Sequence, residues 1–166
     1  MRSIRSYLRA PRCTPRGRAA VVLLLLPWAA SVAFAAASAD EPLDLAAFRG
    51  QVVYLDFWAS WCAPCRESFP WMNRMQDELG RDGLTVIAVN VDRERADAER
   101  FLQAHPARFR LVFDPDGRLP EKFAVRGMPT SFLIDRNGRV QSRHQGFFLK
   151  DRAALEQQLR ALLHAH

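Results

Sequence analysis

Two cysteines separated by two residues are the most distinctive chemical feature of this 166-residue chain. They lie in the segment Trp61-Cys62-Ala63-Pro64-Cys65, whereas the third cysteine, Cys13, lies near the amino terminus. Two intervening residues bring both sulfur atoms within bonding distance on one helical turn, so the first thiol can attack a disulfide and the second can resolve the product. A loop this short adds little stability as a cross-link. The spacing therefore predicts a redox-active pair.

The residues around the pair predict which thiol attacks. Cys62 ends the loop after a predicted strand, and Cys65 opens a predicted helix whose first turn tolerates Pro64. Unpaired backbone N–H groups and the positive end of the helix dipole lower the pKa of a thiol at a helix amino terminus. We therefore expect Cys62 to be the exposed nucleophile and Cys65 to be the shielded resolving thiol.

Three other uses of such a pair fit the sequence less well. Covalent haem attachment requires a histidine directly after the second cysteine, where this chain has Arg66. An inert structural disulfide stays open as an alternative, although a strand–helix junction is an unusual place for one. A zinc site needs about four ligands, and the histidines are scattered without ligand spacing: His105, His144, His164 and His166. We expect no metal and no cofactor.

The elements that must position the pair alternate along the chain. A run rich in β-branched and aromatic residues precedes the cysteines, and apolar residues at helical spacing follow them. Asn137-Gly138 predicts a hairpin turn, and Asp151 is expected to cap the last helix. Helices alternating with strands imply parallel pairing, and the hairpin adds an antiparallel edge, so the fold class is α/β. The predicted order is β-α-β-α-β-α-β-β-α, over residues 51–57, 65–79, 85–91, 94–104, 111–113, 119–124, 130–135, 139–145 and 151–163.

The first 39 residues differ in composition from the rest of the chain. They contain six arginines and no acidic residue, whereas from Asp40 onward 18 basic side chains balance 18 acidic ones. A neutral domain lacks the electrostatic footprint of a DNA- or RNA-binding protein, so no nucleic-acid partner is expected. A basic stretch, an uncharged run and a closing Ala37-Ser38-Ala39 triplet predict a signal peptide over 1–39 and a mature domain over 40–166. Retention as an uncleaved membrane anchor is the alternative, because the 21 uncharged residues 19–39 can nearly span a bilayer.

Several motifs in order carry a resemblance to a known family. The stretch from Val53 to Arg66 resembles the active-site segment of thioredoxins, and it is followed by Pro70, by Val89-Asn-Val-Asp92 and by Arg126-Gly-Met-Pro-Thr130. Over nearly all of residues 43–163 the chain is similar to the TlpA-like exported thiol–disulfide oxidoreductases of the thioredoxin superfamily, which include the thioredoxins of cytochrome c maturation. The resemblance implies a thioredoxin fold, with a central mixed β-sheet flanked by helices. It also implies an extra helix-plus-strand insertion after the second main strand, in residues 94–116.

The resemblance implies a third catalytic residue beside the two cysteines. Asp56, six residues before Cys62, would be a buried carboxylate beneath the pair that accepts the proton of Cys65 during resolution. The alternative is a strand-edge carboxylate facing water. Asp92 and Glu94 are further candidates for the same role, because some relatives place a carboxylate after the second strand.

The resemblance also implies a surface that binds the substrate. Met128–Pro129 matches a loop that carries a cis-proline in this fold, and it would set the backbone of Met128 beside Cys62, where a client chain can pair as an added strand. Trp61 would be an exposed apolar contact for partners, and Trp58 would belong to the core.

These observations predict an enzyme that reduces disulfides in client proteins, for example in cytochrome c maturation or in assembly of an oxidase copper site. Ala63-Pro64 adds no charge that would stabilise the Cys62 thiolate, which favours a reductant over a strong oxidant. A reductant outside the cytoplasm requires a membrane thiol reductant that supplies electrons. We expect a monomer in the periplasm, exported by the general secretory route because no adjacent arginine pair is present, and bound to the inner membrane only if the leader is retained.

Other functions on the same fold remain as alternatives. A disulfide-forming oxidase would use the same residues in the opposite direction. Thiol peroxidases require Thr or Ser three residues before the nucleophile, where this chain has Ala59. A non-enzymatic copper-handling module is another alternative. Copper-delivery relatives have three residues between the cysteines and a distant histidine, whereas this chain has two residues between them.

Overall fold

A computed structural model describes residues 43–165 of the chain. The predicted leader, residues 1–39, and the predicted mature terminus at Asp40 lie outside the described residues. Between Leu43 and Ala165, none of the helices combines the length and the hydropathy that crossing a membrane requires. The predicted α/β order is confirmed, with these bounds: β1 Val52–Trp58, α1 Ala63–Leu79, β2 Leu84–Asn90, α2 Arg95–Ala104, β3 Arg110–Phe113, α3 Arg118–Lys122, β4 Thr130–Ile134, β5 Val140–Gln145 and α4 Arg152–His164.

The strands form one mixed sheet with β1 at its centre. Their order is β3-β2-β1-β4-β5. β1, β2 and β3 run parallel, whereas β4 is antiparallel to both β1 and β5. The segment expected as an insertion supplies α2 and β3, so it extends the sheet by one edge strand.

The direction of β4 differs from the parallel pairing that alternating helices and strands imply. A parallel β4 would require the chain to return over the length of a strand, about 20 Å, before β4 begins. Between Phe113 and Thr130 the helix is α3, whose five residues span about 7.5 Å, and it does not make that return. The connection therefore stays at the edge where β3 ends, and β4 starts from there, with Thr130 paired to Phe57 near the end of β1. This reversal brings the Met128–Pro129 segment to the same edge as the loop that follows β1.

Alternate residues of the strands face two different apolar clusters. Tyr54 and Trp58 belong to the larger cluster, which is covered by α1, α2 and α4 and includes both Cys62 and Cys65. The smaller cluster lies on the opposite face, beneath α3 and the short 3₁₀ segment Leu45–Phe48. Its buried members are Leu43, Val53, Leu55, Phe57, Ile87, Val89, Val112, Phe132 and Ile134. The redox pair is thus packed on one side of the central strand.

The start of α4 corrects one prediction. Asp151 immediately precedes the helix, but its side chain makes no capping hydrogen bond. A side-chain cap normally requires extended backbone at that residue. Here a 3₁₀ turn over Leu149–Asp151 runs directly into α4, and Asp151 has near-helical angles of φ −93° and ψ −7°.

Candidate active site

Cys62 and Cys65 form a disulfide at the amino terminus of α1. Cys62 is the N-cap residue of α1, and its carbonyl accepts a hydrogen bond from the Cys65 N–H at 3.2 Å. Pro64 lies in the first helical turn, as the sequence predicts. No side-chain hydrogen bond caps this helix end, and the positive end of the helix dipole lies beside Cys62.

The exposure of the pair corrects the prediction of an exposed Cys62. In the disulfide form Cys62 is 3% exposed and Cys65 is fully buried. Both belong to the larger cluster, because the bond holds Cys62 against the helix and the core. The small accessible area still belongs to Cys62, so an incoming sulfur atom would reach that residue first.

Asp56 is a buried carboxylate, as the resemblance implies, and does not face water at a strand edge. It is 1% exposed, and its Oδ2 atom has no hydrogen-bond partner among the described residues. Burial raises the pKa of Asp56 well above its ordinary value, because the charged form loses its hydration. Strand alternation places it on the same side of β1 as Tyr54 and Trp58, the side that packs against the disulfide.

Two polar residues near Asp56 were not singled out from the sequence. Ser131 of β4 pairs with Asp56 across the sheet and is 4% exposed. The pKa of Tyr54 is raised well above its ordinary value, first by burial and second by the charge of Asp56, while a hydrogen bond from the Ser131 side chain lowers it. The available signal was positional, because Tyr54 precedes Asp56 by two residues and so shares its face.

The other two candidate carboxylates occupy different surroundings. Asp92 is 6% exposed and accepts hydrogen bonds from the backbone N–H of Ser60 at 2.9 Å and from its hydroxyl at 3.0 Å. The side-chain amide of Asn90 donates a further bond to Asp92 at 2.7 Å. Glu94 is exposed at the residue that precedes α2. Among the three carboxylates, Asp56 alone combines deep burial with an unpartnered oxygen.

The Met128–Pro129 peptide bond is cis, as expected. Pro129 is buried and Met128 is half-buried, and the Met128 side chain packs against both apolar clusters. The Pro129 carbonyl accepts a hydrogen bond from the Gly146 N–H at 2.8 Å. Gly146 has φ +83°, a value that favours glycine, so the turn after β5 closes onto this loop. Gly146 was not predicted to contact this loop, because the sequence around it indicates only that a glycine can adopt a positive φ.

Two tryptophans flank the pair in opposite environments, as expected. Trp58 is fully buried and packs edge-on against Phe69, with ring centroids 4.8 Å apart. It also contacts Phe101 of α2 at 4.8 Å, so the inserted helix contributes to the core beneath the site. Trp61 is 68% exposed directly before Cys62. Its role in binding partners stays a prediction.

Two further features of the described residues concern metal ligands and exposed apolar side chains. From Leu43 to Ala165, no group of three or more His, Cys, Asp and Glu side chains is arranged to hold a metal ion. Phe148 and Leu149, in the turn that follows Gly146, are large apolar residues more than half exposed. The reactive groups that the described residues place near this edge are the Cys62–Cys65 disulfide and the buried Asp56 carboxylate.

Comparison with known sequences gives matches over most of the chain. The profile of the Redoxin family matches residues 11–159. The thiol–disulfide oxidoreductase ResA of Geobacillus thermodenitrificans is 34% identical over 104 residues, which cover 63% of this chain and 60% of the relative. The protein of the same name from Bacillus thuringiensis subsp. konkukian is 31% identical over 122 residues, which cover 74% of this chain and 69% of the relative. The matched region thus spans 60% to 69% of these relatives' own length.

Comparison with solved structures confirms the predicted fold. A Chlorobium tepidum protein, assigned to the thiol:disulfide interchange proteins DsbE, is 55% identical with a TM-score of 0.71 over 73% of this chain and 86% of that chain. The exposed lipoprotein thioredoxin Etrx1 of Streptococcus pneumoniae is 32% identical with a TM-score of 0.61 over 71% of this chain and 90% of that chain. The architecture is therefore thioredoxin-like.

Proposed function

The chain belongs to the Redoxin family as a thiol–disulfide oxidoreductase of the ResA-, DsbE- and TlpA-like kind, and we propose that it reduces disulfides in client proteins outside the cytoplasm. The observation that supports this most directly is the Cys62–Cys65 disulfide at a helix amino terminus without a side-chain cap. Beside it on β1 lies the buried Asp56, whose Oδ2 atom has no hydrogen-bond partner among the described residues.

The proposed reaction proceeds in two exchange steps. The Cys62 thiolate attacks one sulfur of the client disulfide, so that a mixed disulfide forms and one client thiolate leaves. The Cys65 thiolate then attacks the Cys62 sulfur, which forms the Cys62–Cys65 disulfide and releases the second client thiolate. Both client thiolates take protons from solvent, and the client has gained two electrons from the pair.

Asp56 is proposed to accept the Cys65 proton in the second step. Cys65 is fully buried, so its thiol cannot pass a proton directly to water. The raised pKa of Asp56 brings a carboxylate closer to the pKa of a thiol, and proton transfer is most efficient between groups of matched pKa. The orphaned Oδ2 atom leaves one oxygen available for that proton.

Client chains are proposed to bind at the edge formed by Trp61, Met128 and Pro129. Met128 precedes the buried Pro129, and an extended segment could pair with its backbone as an added strand. The exposed indole of Trp61 offers apolar contact area next to Cys62. Clients of this chemistry include apocytochrome c and the cysteine pair of an oxidase copper site.

Residues 1–39 are proposed to direct export by the general secretory route, with a mature domain over 40–166. The relative described as an exposed lipoprotein, 32% identical to this chain, is consistent with work outside the cytoplasm. A reductant there needs a membrane thiol partner that delivers electrons. Intact mass of protein recovered from the host envelope tests the cleavage: a chain starting at Asp40 supports it, and a full-length chain in the membrane fraction establishes an anchor instead.

The direction of electron flow is tested by the reduction potential of the pair. Equilibration with glutathione or dithiothreitol should give a value between about −270 and −200 mV, the range of thioredoxins and glutaredoxins. Alkylation of thiols in living cells should show that a substantial fraction of the protein carries Cys62 and Cys65 as the dithiol. A potential above about −150 mV, or a pair found fully oxidised in unstressed cells, would instead indicate a disulfide-forming oxidase.

A further inference from the structure

The hydrogen bonds of Asp92 join the end of β2 to the turn that carries Cys62. Oδ2 accepts from the Ser60 N–H and from the Asn90 amide, while Oδ1 accepts from the Ser60 hydroxyl. The Asp92 N–H donates to Asn90 Oδ1 at 3.1 Å, so the Asn90 side chain bonds both the backbone and the carboxylate of Asp92. Ser60 and Asp92 are 32 residues apart in the sequence, and Ser60 is two residues before Cys62.

We propose that Asp92 is a positioning residue, which holds Ser60 so that Cys62 stays at the amino terminus of α1 after the disulfide opens. The inference rests on the proposed function only in assuming that the Cys62–Cys65 pair cycles between disulfide and dithiol. It assigns Asp92 no contact with the reacting sulfur atoms. Its effect is transmitted through the backbone of the turn over residues 59–62.

The bonds to Ser60 stabilise the two redox forms unequally. In the disulfide form, the covalent bond to Cys65 already restrains Cys62 and the end of the turn. In the dithiol form, the turn depends on noncovalent contacts: the bonds of Asp92 to Ser60, and the bond from the Cys62 N–H to the Ala59 carbonyl at 3.1 Å. Removing the Asp92 bonds therefore destabilises the dithiol more than the disulfide.

The same geometry disfavours Asp92 as the proton acceptor for Cys65. Three hydrogen bonds from Ser60 and Asn90 already engage both of its oxygens, so the carboxylate is held by the turn and by β2. Among the described residues, Asp56 Oδ2 is buried and has no such partner. The two buried carboxylates near the pair thus have separate tasks, one in proton transfer and one in geometry.

The test compares Ser60→Ala and Asp92→Ala with the wild-type full chain. For each protein, urea unfolding is measured in the disulfide form and in the dithiol form, and the equilibrium constant with glutathione is measured separately. Because lost hydrogen bonds to a charged group act mainly on the dithiol, Asp92→Ala should shift the glutathione equilibrium about fivefold toward the disulfide. Folded and unfolded protein, each as disulfide and as dithiol, form a closed thermodynamic cycle. The loss of unfolding free energy in the dithiol form minus the loss in the disulfide form must therefore correspond to the same shift of about fivefold.

Asp114 provides a matched control. It is a buried aspartate, 8% exposed, after the end of β3, and it accepts hydrogen bonds from the backbone N–H groups of Arg118 and Leu119. Asp114→Ala should lower the stability of both redox forms equally and leave the glutathione equilibrium unchanged. Asp92→Asn, which keeps one acceptor oxygen, should give an effect smaller than that of Asp92→Ala.

The outcomes separate this role from the alternatives. If Asp92 acts through Ser60, a double variant that combines Ser60→Ala with Asp92→Ala should shift the glutathione equilibrium no further than Asp92→Ala alone. Equal destabilisation of both redox forms by Asp92→Ala would reduce Asp92 to a structural residue. A pH dependence of mixed-disulfide resolution that is lost in Asp92→Asn but kept in Ser60→Ala would make it a proton acceptor. These comparisons between variants hold whether the wild-type potential is that of a reductant or of an oxidase, so the two proposals fail separately.

Discussion

The two faces of the sheet are built from alternate residues of the same strand, yet they bury different chemistry. On the α3 face, Leu55 and Phe57 lie in an apolar cluster, and the buried Thr130 satisfies its hydroxyl with the Gly127 carbonyl at 2.7 Å. On the opposite face, which we call the redox face, β1 contributes Tyr54 and Asp56 to the layer that holds the Cys62–Cys65 disulfide. Within residues 43–165, the α3 face leaves no buried side-chain polar atom unpaired, whereas the other face leaves Asp56 Oδ2 and the indole nitrogens of Trp58 and Trp71 without a partner.

This difference indicates how the domain separates stability from reactivity. A buried carboxylate without a partner is unfavourable, and folded proteins retain such groups mainly where they perform a task. The large aromatic contacts of the redox face, such as Trp58 with Phe69 and Phe101, offset that unfavourable term locally. In the part of the chain that the structure describes, the α3 face has no such group to offset, so it should respond to mutation through packing alone.

The largest effect expected on the redox face is the loss of catalysis when its nucleophile is removed. Cys62→Ser should abolish insulin reduction in an assay coupled to dithiothreitol, because the attacking sulfur is absent. Cys65→Ser should still attack and should accumulate mixed disulfides with clients, because the resolving sulfur is absent. Client trapping by Cys62→Ser, with none by Cys65→Ser, would reverse the assignment. Circular dichroism on both variants serves as the folding control.

The complementary experiment on the α3 face should change stability without changing redox chemistry. Leu55 is fully buried in the smaller cluster, so Leu55→Ala should lower the free energy of unfolding by about 2–5 kcal/mol. The reduction potential should stay that of the wild type, since Leu55 points away from the disulfide. Urea denaturation and glutathione equilibration measure the two quantities. A shifted potential in a folded Leu55→Ala protein would show that the faces are coupled.

Asp56→Asn should raise stability and slow resolution together. Because the pKa of Asp56 is raised in the folded state, the native protein binds more protons than the unfolded chain above about pH 4. Wild-type stability should then fall with rising pH, by up to about 1.4 kcal/mol per pH unit, until Asp56 ionises in the folded protein. Asp56→Asn should lack this fall, so its advantage in unfolding free energy should grow as pH rises.

The kinetic half of this prediction uses the same variant. Asp56→Asn should slow resolution of a mixed disulfide near neutral pH, because no carboxylate remains to accept the Cys65 proton. Stopped-flow measurement across pH 6–9 gives the rate. Resolution kinetics identical to wild type over that whole range would remove Asp56 from the mechanism and leave its burial unexplained. Ser131→Ala, which alters the register neighbour of Asp56 without removing the acceptor, is the control.

The predictability of this site follows from how far apart its residues are in the chain. The order of elements and the position of the pair at a helix start were predictable, because periodicity and Pro64 are local signals. The direction of β4 was not, because it depends on the edge of the sheet at which the connection after β3 ends, and periodicity does not report that edge. The bonds between Ser60 and Asp92 join residues far apart in sequence, so no local pattern reports them.

Two further differences have causes in the three-dimensional packing. Cys62 was expected to be exposed because it precedes the helix, but the disulfide and the surrounding core cover most of it. Ser131 became visible as a neighbour of Asp56 only through strand register, which pairs the two residues across the sheet. The resemblance implied the burial of Asp56, whereas composition alone left a water-facing position open.

The smallest effect is expected where the redox face reaches solvent, at Trp61. Its indole is 68% exposed, so Trp61→Ala should change the free energy of unfolding by less than about 0.5 kcal/mol. If Trp61 provides apolar contact to clients, the variant should raise KM for a protein disulfide while the rate with a small, uncharged disulfide stays that of the wild type. Phe148→Ala, which removes another exposed aromatic side chain from the turn after β5, is the matched comparison. A larger loss of client reduction in Phe148→Ala than in Trp61→Ala would place the client contact at that turn and not at the cysteine loop. The redox face would then act on clients bound mainly beside β5.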